Sequence, residues 1–150
     1  MSIVNSIQVK SIREIQEEIV TEFEVYDDWM DKYNYLIELS RDLPMIDPQL
    51  KVKENLIAGC QSRVWLNAEY ADGLIRFTAD SDAIITKGII SLLVRVLSNR
   101  TTEEILETEL FFIDRIGLRQ NLSPTRSNGL LSMIKQMKLY ALAYQSKYKK

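Results

Sequence analysis

Apolar positions along the chain change their period, and the changes mark out elements. Ile12, Ile15 and Ile19 recur at helical spacing just after Ser11-x-x-Glu14, which has the form of a capping box, so a short first helix is predicted there. Trp29, Met30, Tyr33, Leu36, Ile37 and Ser40 form one broad stripe, predicting a second helix from about residue 27 to 40 that Leu43-Pro44 stops. Asp47-Pro48 extends the break. Past Leu56 the period becomes two, with Val64, Leu66, Ala68 and Tyr70 alternating with Arg63, Trp65, Asn67 and Glu69, the signature of a strand. Asp72-Gly73 supplies the residues of a type I′ turn, and residues 74–79 return as a second, antiparallel strand. The short segment 55–59 is expected to pair as a third.

Ser81 and Asp82 are natural N-caps for a helix through Leu97, and its run of Ile, Leu and Val is apolar almost all round, so this helix is predicted to be the buried centre. A second capping box, Thr101-x-x-Glu104, opens a short helix, and Phe111, Phe112 and Ile113 continue the packing into Gly117. Ser123-Pro124 places a cap before a first-turn proline, starting a long helix with Leu130, Ile134, Met137, Ala141 and Tyr144 inward. Gly88 and Gly129 are expected to allow close helix packing, and Trp29 and Trp65 to pack rather than bind. There is no internal repeat and no low-complexity linker. The expectation is a single α+β domain over residues 1–150, a small antiparallel sheet of about three strands packed against a layer of helices.

Composition narrows the chemistry. The chain has 150 residues, 46% hydrophobic and 27% charged, which suits one compact core and is too apolar for disorder. A net charge of -2 supplies no strong field for nucleic acid or an anionic membrane, although the terminal Lys147-Tyr148-Lys149-Lys150 run is locally basic. The opening ten residues lack the pattern of a secretory signal, and no stretch approaches about 20 apolar residues, so a cytoplasmic protein is expected. With no histidine in the chain, Cys-His pairs, Ser-His-Asp triads and histidine-based metal sites are excluded within it. Its one cysteine, Cys60, has no intramolecular disulfide partner and is a thiol in a reducing compartment.

Cys60 stands between Gly59 and Gln61, after the apolar run Leu56-Ile57-Ala58 and ahead of the first strand, so it is placed on a turn. Position alone leaves it readable as an inert small hydrophobe. The surrounding motif says more. Residues 54–66, with Asn55, then Gly59-Cys60-Gln61-Ser62, then Val64-Trp65, closely resemble the pattern of the SufE family. The resemblance extends upstream through Asp28-Trp29, Tyr33, Leu36-Ile37-Glu38-Leu39 and Leu43-Pro44. Downstream it takes in Asp80-Ser81-Asp82-Ala83 with Lys87-Gly88, then Glu104-Ile105-Leu106, then Leu122-Ser123-Pro124-Thr125-Arg126-Ser127-Asn128-Gly129-Leu130. Departures are mild: Ser91 stands where the family often has alanine, and Arg63 where glutamine is common.

The resemblance implies a fold like that of SufE and of the IscU class of iron–sulfur scaffolds. It implies that Cys60 accepts a persulfide sulfur from a SufS-type cysteine desulfurase, stimulates its turnover, and passes the sulfur to a SufBCD-type scaffold. Gly59, Gln61, Ser62, Ser81, Asp82 and Arg126 would shape the loop or meet the partner. Pyridoxal phosphate would belong to the desulfurase, so no cofactor is expected on this chain and no metal site, and the protein would be an activator and co-substrate rather than a stand-alone enzyme. A CsdE-like carrier serving another acceptor, or a docking-only module, is the alternative. A scaffold role is disfavoured because clusters need several cysteine ligands. Capping remains the simpler reading of Ser81 and Asp82. A structural salt bridge remains open for Arg126, whose charge opposes the helix dipole where it stands.

Overall fold

Local rules set the first helix. In the computed structural model, which describes residues 10–148, the Ser11 hydroxyl accepts from the Glu14 N–H at 3.0 Å and the Glu14 carboxylate accepts from the Ser11 N–H at 2.8 Å. Helix α1 (Ile12–Glu24) follows and buries Ile12, Ile19, Val20 and Phe23. Gln16, on the same face, staples α1 to a distant loop: its side chain accepts from the Phe112 N–H at 3.2 Å and donates to the Glu109 carbonyl at 3.0 Å. Helix α2 (Trp29–Leu39) is capped by the Asp28 carboxylate, which accepts from the Asp31 N–H. Leu36 and Leu39 are buried in α2, but Met30 turns outward and leaves the stripe assigned to it from sequence.

Strands β1 (Val64–Ala71) and β2 (Leu74–Ser81) form an antiparallel pair in the register Val64 opposite Ser81 to Ala71 opposite Leu74. Both turn residues have positive φ, 56° at Asp72 and 80° at Gly73, as a type I′ turn requires. Leu66, Ala68, Ile75, Phe77 and Ala79 put one face of the ribbon into the core. Two sequence expectations need correction here. The segment 55–59 does not become a third strand: Leu56 makes an isolated bridge to Trp65, and one bond from the Ile57 N–H to the Val64 carbonyl follows before the chain turns away at Gly59. Ser81 and Asp82 do not cap the next helix, because β2 runs on to Ser81 and the N-cap position falls to Ala83, without a side-chain bond.

Helix α3 (Ile84–Leu97) is the centre of the core, packed by α1, α2, β2 and the C-terminal helix. Its approach to α2 depends on Gly88, where a Cβ would come within 2.4 Å of the Leu36 carbonyl oxygen. The Ser91 hydroxyl, buried in the same seam, donates to the Leu39 carbonyl at 3.0 Å. Helix α4 (Thr102–Glu107) begins with the expected capping box of Thr101 and Glu104, and the short α5 (Phe112–Arg115) carries Phe112 and Ile113 inward.

Helix α6 (Pro124–Tyr148) then runs back across α3 and α4. The Ser123 hydroxyl accepts from the Arg126 N–H at 3.2 Å, so the expected cap forms. Tyr144 reaches the sheet, its hydroxyl donating to the Ala68 carbonyl at 3.0 Å while its ring stacks on Tyr70 at 5.3 Å. The arrangement is α+β, a two-stranded ribbon packed against helices. Among the described residues no helix is long and apolar enough to cross a membrane. The reading of the opening residues as lacking a secretory signal, and the last two lysines of the basic run, lie outside the described residues.

Candidate functional site

The loop between Ile57 and Val64 carries Cys60, and both of its ends are fixed. At its start, buried Ile57 bonds to the Val64 carbonyl at 2.9 Å. At its end, Arg63 is clamped through its backbone: its N–H donates to the Asp82 carboxylate at 3.1 Å, and its carbonyl accepts from the Ser81 hydroxyl at 2.8 Å and the Asp82 N–H at 3.2 Å. Ser81 and Asp82 therefore do belong to the cysteine loop, as supports for its exit. Asp80, buried just before them, lies 2.8 Å from the Lys51 ammonium and 3.4 Å from that of Lys87. Burial works against its charge, yet the Lys51 ammonium, the Ser81 N–H and Lys87 outweigh it and hold the carboxyl below the usual carboxylate range.

The loop's tip lies against α6. Gly59 has φ +91°, a conformation that costs a side-chain-bearing residue, and a Cβ there would come within 2.5 Å of the Ser132 Oγ. Cys60 is half-buried, and its thiol donates a weak hydrogen bond to the Gly129 carbonyl at 3.6 Å. Gly129 is not a helix-packing glycine as expected from sequence: the nearest atom to a Cβ built on it would be the Cys60 Sγ, at 3.7 Å. Burial raises the pKa of the thiol, so in the free protein it is protonated at neutral pH.

Beside the thiol opens a cleft of about 370 Å³, lined by Cys60, Gln61 and Ser62 from the loop, Thr86 and Ile89 from α3, and Arg126, Gly129 and Met133 from α6. Gln61 is exposed and Ser62 half-buried. Arg126 is the one charged residue of the lining, and among the described residues it forms no ion pair. Its guanidinium donates instead to the Tyr33 hydroxyl at 3.5 Å, which in turn donates to the Asn121 carbonyl at 3.4 Å. The salt-bridge reading of Arg126 left open by the sequence is thereby excluded within the described residues.

Cys60, Gly59, Gln61, Ser62, Ser81, Asp82 and Arg126 thus converge on one loop and cleft. Gly129, Ser132, Thr86 and Met133 escaped sequence reasoning. Gly129 had a readable signal, because glycine within a helix costs about 1 kcal/mol relative to alanine and invites a reason. Thr86 had none. Chemically, the lining holds one nucleophile, one cation and no general base, so it suits a group held on sulfur rather than acid–base turnover of a substrate.

Comparison with known proteins points the same way. The SufE family model, described as an Fe-S metabolism associated domain, matches residues 17–141. A SufE-like protein 1 of Arabidopsis thaliana, chloroplastic/mitochondrial by name, is 40% identical over 132 residues, which span 87% of this chain but 36% of that protein. An uncharacterized SufE-like protein of Rhizobium etli is 37% identical over 127 residues, 81% of this chain and 86% of that one. One from Synechocystis is 34% identical, with 85% and 80% covered. The solution structure of a hypothetical protein from Thermus thermophilus superposes with a TM-score of 0.72 at 19% identity, covering 88% of this chain and 96% of that one, which speaks to the fold. Since the matched region runs from within α1 into α6 and takes in the whole Cys60 loop, the chain belongs to the SufE family, whose domain is associated with iron–sulfur metabolism.

Proposed function

We propose that the protein is a sulfur acceptor and carrier, with the Sγ of Cys60 as the accepting atom. The observation that carries this reading is the placement of the chain's one thiol, half-buried on a pinned loop, beside a cleft with room for a second sulfur atom. In the reaction, the Cys60 thiolate attacks the outer sulfur of a persulfide on a cysteine desulfurase. A bond forms between Sγ and that sulfur, the donor's sulfur–sulfur bond breaks, and the electron pair leaves on the donor's thiolate. No net oxidation occurs, and no metal is needed.

The donor is a SufS-type desulfurase that brings its own pyridoxal phosphate, and the onward acceptor is a SufBCD-type scaffold. The setting is a reducing compartment, the cytoplasm in the reading from sequence, where a lone cysteine stays free. Because burial keeps the thiol protonated, docking must draw the loop out or bring a cation close for the thiolate to form. Arg126 is placed to supply such a charge from the cleft wall. Gly59 permits the turn, Gln61 and Ser62 form its outer rim for the partner, and Ser81 and Asp82 anchor its exit.

The test is to incubate the protein with desulfurase, pyridoxal phosphate and cysteine, then to weigh it intact. The parent gains one sulfur and accelerates desulfurase turnover, whereas Cys60→Ser does neither. Equal stimulation by Cys60→Ser would reduce the protein to a docking module.

A further inference from the structure

Thr86 stands out among the buried polar side chains. Gln16, Ser40, Asp80, Ser91, Arg100 and Thr102 each engage a hydrogen-bond or ion-pair partner. Thr86 is only 6% exposed, yet among the described residues its hydroxyl has no partner. Among the described residues, the side-chain atoms shut off from water without a partner are Trp29 Nε1 and Arg100 Nε; the Thr86 hydroxyl is not one of them, so it keeps an opening to solvent. What the side chain does have is the cleft: Thr86, in the first turn of α3, lines the same 370 Å³ space as Cys60 and Arg126. Ile89 and Met133, both buried and apolar, line the same space.

The two states of the cysteine differ in what they ask of this wall. The unloaded thiol is a weak donor and is satisfied by the Gly129 carbonyl. A persulfide is more acidic than its parent thiol, so its outer sulfur carries negative charge at neutral pH and needs donors, which a carbonyl oxygen is not. We propose that Thr86 is a sulfur-binding residue, its hydroxyl donating to the outer sulfur of a persulfide on Cys60, so that the cleft is tailored to the loaded rather than the empty carrier. This rests on Cys60 being the sulfur-bearing residue. Its consequence is a persulfide held inward, away from stray thiols, until a partner opens the loop.

Loading can be made independent of any desulfurase. With inorganic polysulfide, the Cys60 thiolate takes one sulfur atom and leaves a polysulfide ion one sulfur shorter, so charge and electrons balance. Parent, Thr86→Val, Thr86→Ala and Thr86→Ser are loaded this way and challenged with glutathione, whose thiolate removes the outer sulfur and regenerates the Cys60 thiol. Loss is followed by intact mass. Removing the hydroxyl is expected to speed loss about tenfold, the scale of one charge-assisted hydrogen bond, in both the valine and the alanine variants. Thr86→Ser retains the parent's rate, and alkylation of the unloaded thiol stays within about twofold throughout. Loss at the parent's rate from Thr86→Val and Thr86→Ala overturns the proposal, as does an equal change in loaded and unloaded reactivity, which would mark a structural hydroxyl. Failure of polysulfide to load the parent overturns it too. If polysulfide loads Cys60 and the Thr86 effect appears while the desulfurase loads nothing, the carrier reading fails and this inference stands.

Discussion

The Cys60 Sγ lies 3.6 Å from the carbonyl oxygen of Gly129, a residue 69 positions further along the chain. This contact joins the loop to the first turns of α6 and sets the resting state of the thiol as neutral and inward-facing. Burial raises the pKa of Cys60, so iodoacetamide should alkylate it more slowly at pH 7 than it does a small thiol. Half-maximal reactivity should fall above the ordinary value of about 8.5. The folded state holds this proton more tightly than the unfolded chain does. The associated stability is therefore complete below the unfolded pKa and is lost as pH rises through the folded one. Urea midpoints should decline above about pH 8.5 more steeply in the parent than in Cys60→Ser. A thiol that titrates at or below that value would refute the sheltered resting state.

Gly59 answers two demands, and they can be separated. Its φ of +91° is costly for any residue with a side chain, and its Cβ would meet the Ser132 Oγ at 2.5 Å. Gly59→Ala should lose about 1–3 kcal/mol of unfolding free energy by urea denaturation. Adding Ser132→Ala removes the hydroxyl oxygen and should recover the steric part while leaving the conformational part. Full recovery in the double variant would show that backbone strain contributes nothing.

Asp80→Asn is expected to cost about 1–3 kcal/mol at pH 7, because Lys51 and Lys87 lose their shared anion. The depressed pKa of Asp80 means that its contribution is present above the unfolded value of about 3.9 and is lost as pH falls through the folded value. Denaturation curves of parent and variant should therefore converge in acid. A gap that persists below about pH 2 would place the effect in packing rather than charge.

Gly88→Ala would ordinarily help a helix by about 1 kcal/mol. Here the added methyl would sit 2.4 Å from the Leu36 carbonyl oxygen, and backbone cannot step aside as a side chain can. A net loss of about 1–3 kcal/mol in thermal or urea unfolding is expected. Stabilisation would mean that α2 and α3 are not in contact as described.

What was legible in the sequence was what neighbours decide. The capping boxes at Ser11 and Thr101, the Asp72-Gly73 turn and the Ser123-Pro124 start are each settled within four residues, and each forms as read. Misreadings arose where a distant partner decided. Ser81 and Asp82 have the composition of caps, but Arg63 across the ribbon claims them first. Segment 55–59 has strand-like residues, but Gly59 turns it toward Ser132 before a ladder can form. Cys60 and its flanking motif were visible because they lie together in the chain. The cleft was not, because Thr86 and Gly129 reach it only through the crossing of α3 and α6.

The bond between Ile57 and Val64 that closes the cysteine loop also limits how far it can travel. Cys60 is the third residue beyond Ile57, and an extended chain advances at most about 3.6 Å per residue, so the Cys60 Cα can stand no more than about 11 Å from that of Ile57 while that bond holds. A protein that exchanges sulfur with this one must therefore bring its own reacting atom nearly to the surface here, on a shallow or open face, since a tether this short cannot thread a deep tunnel.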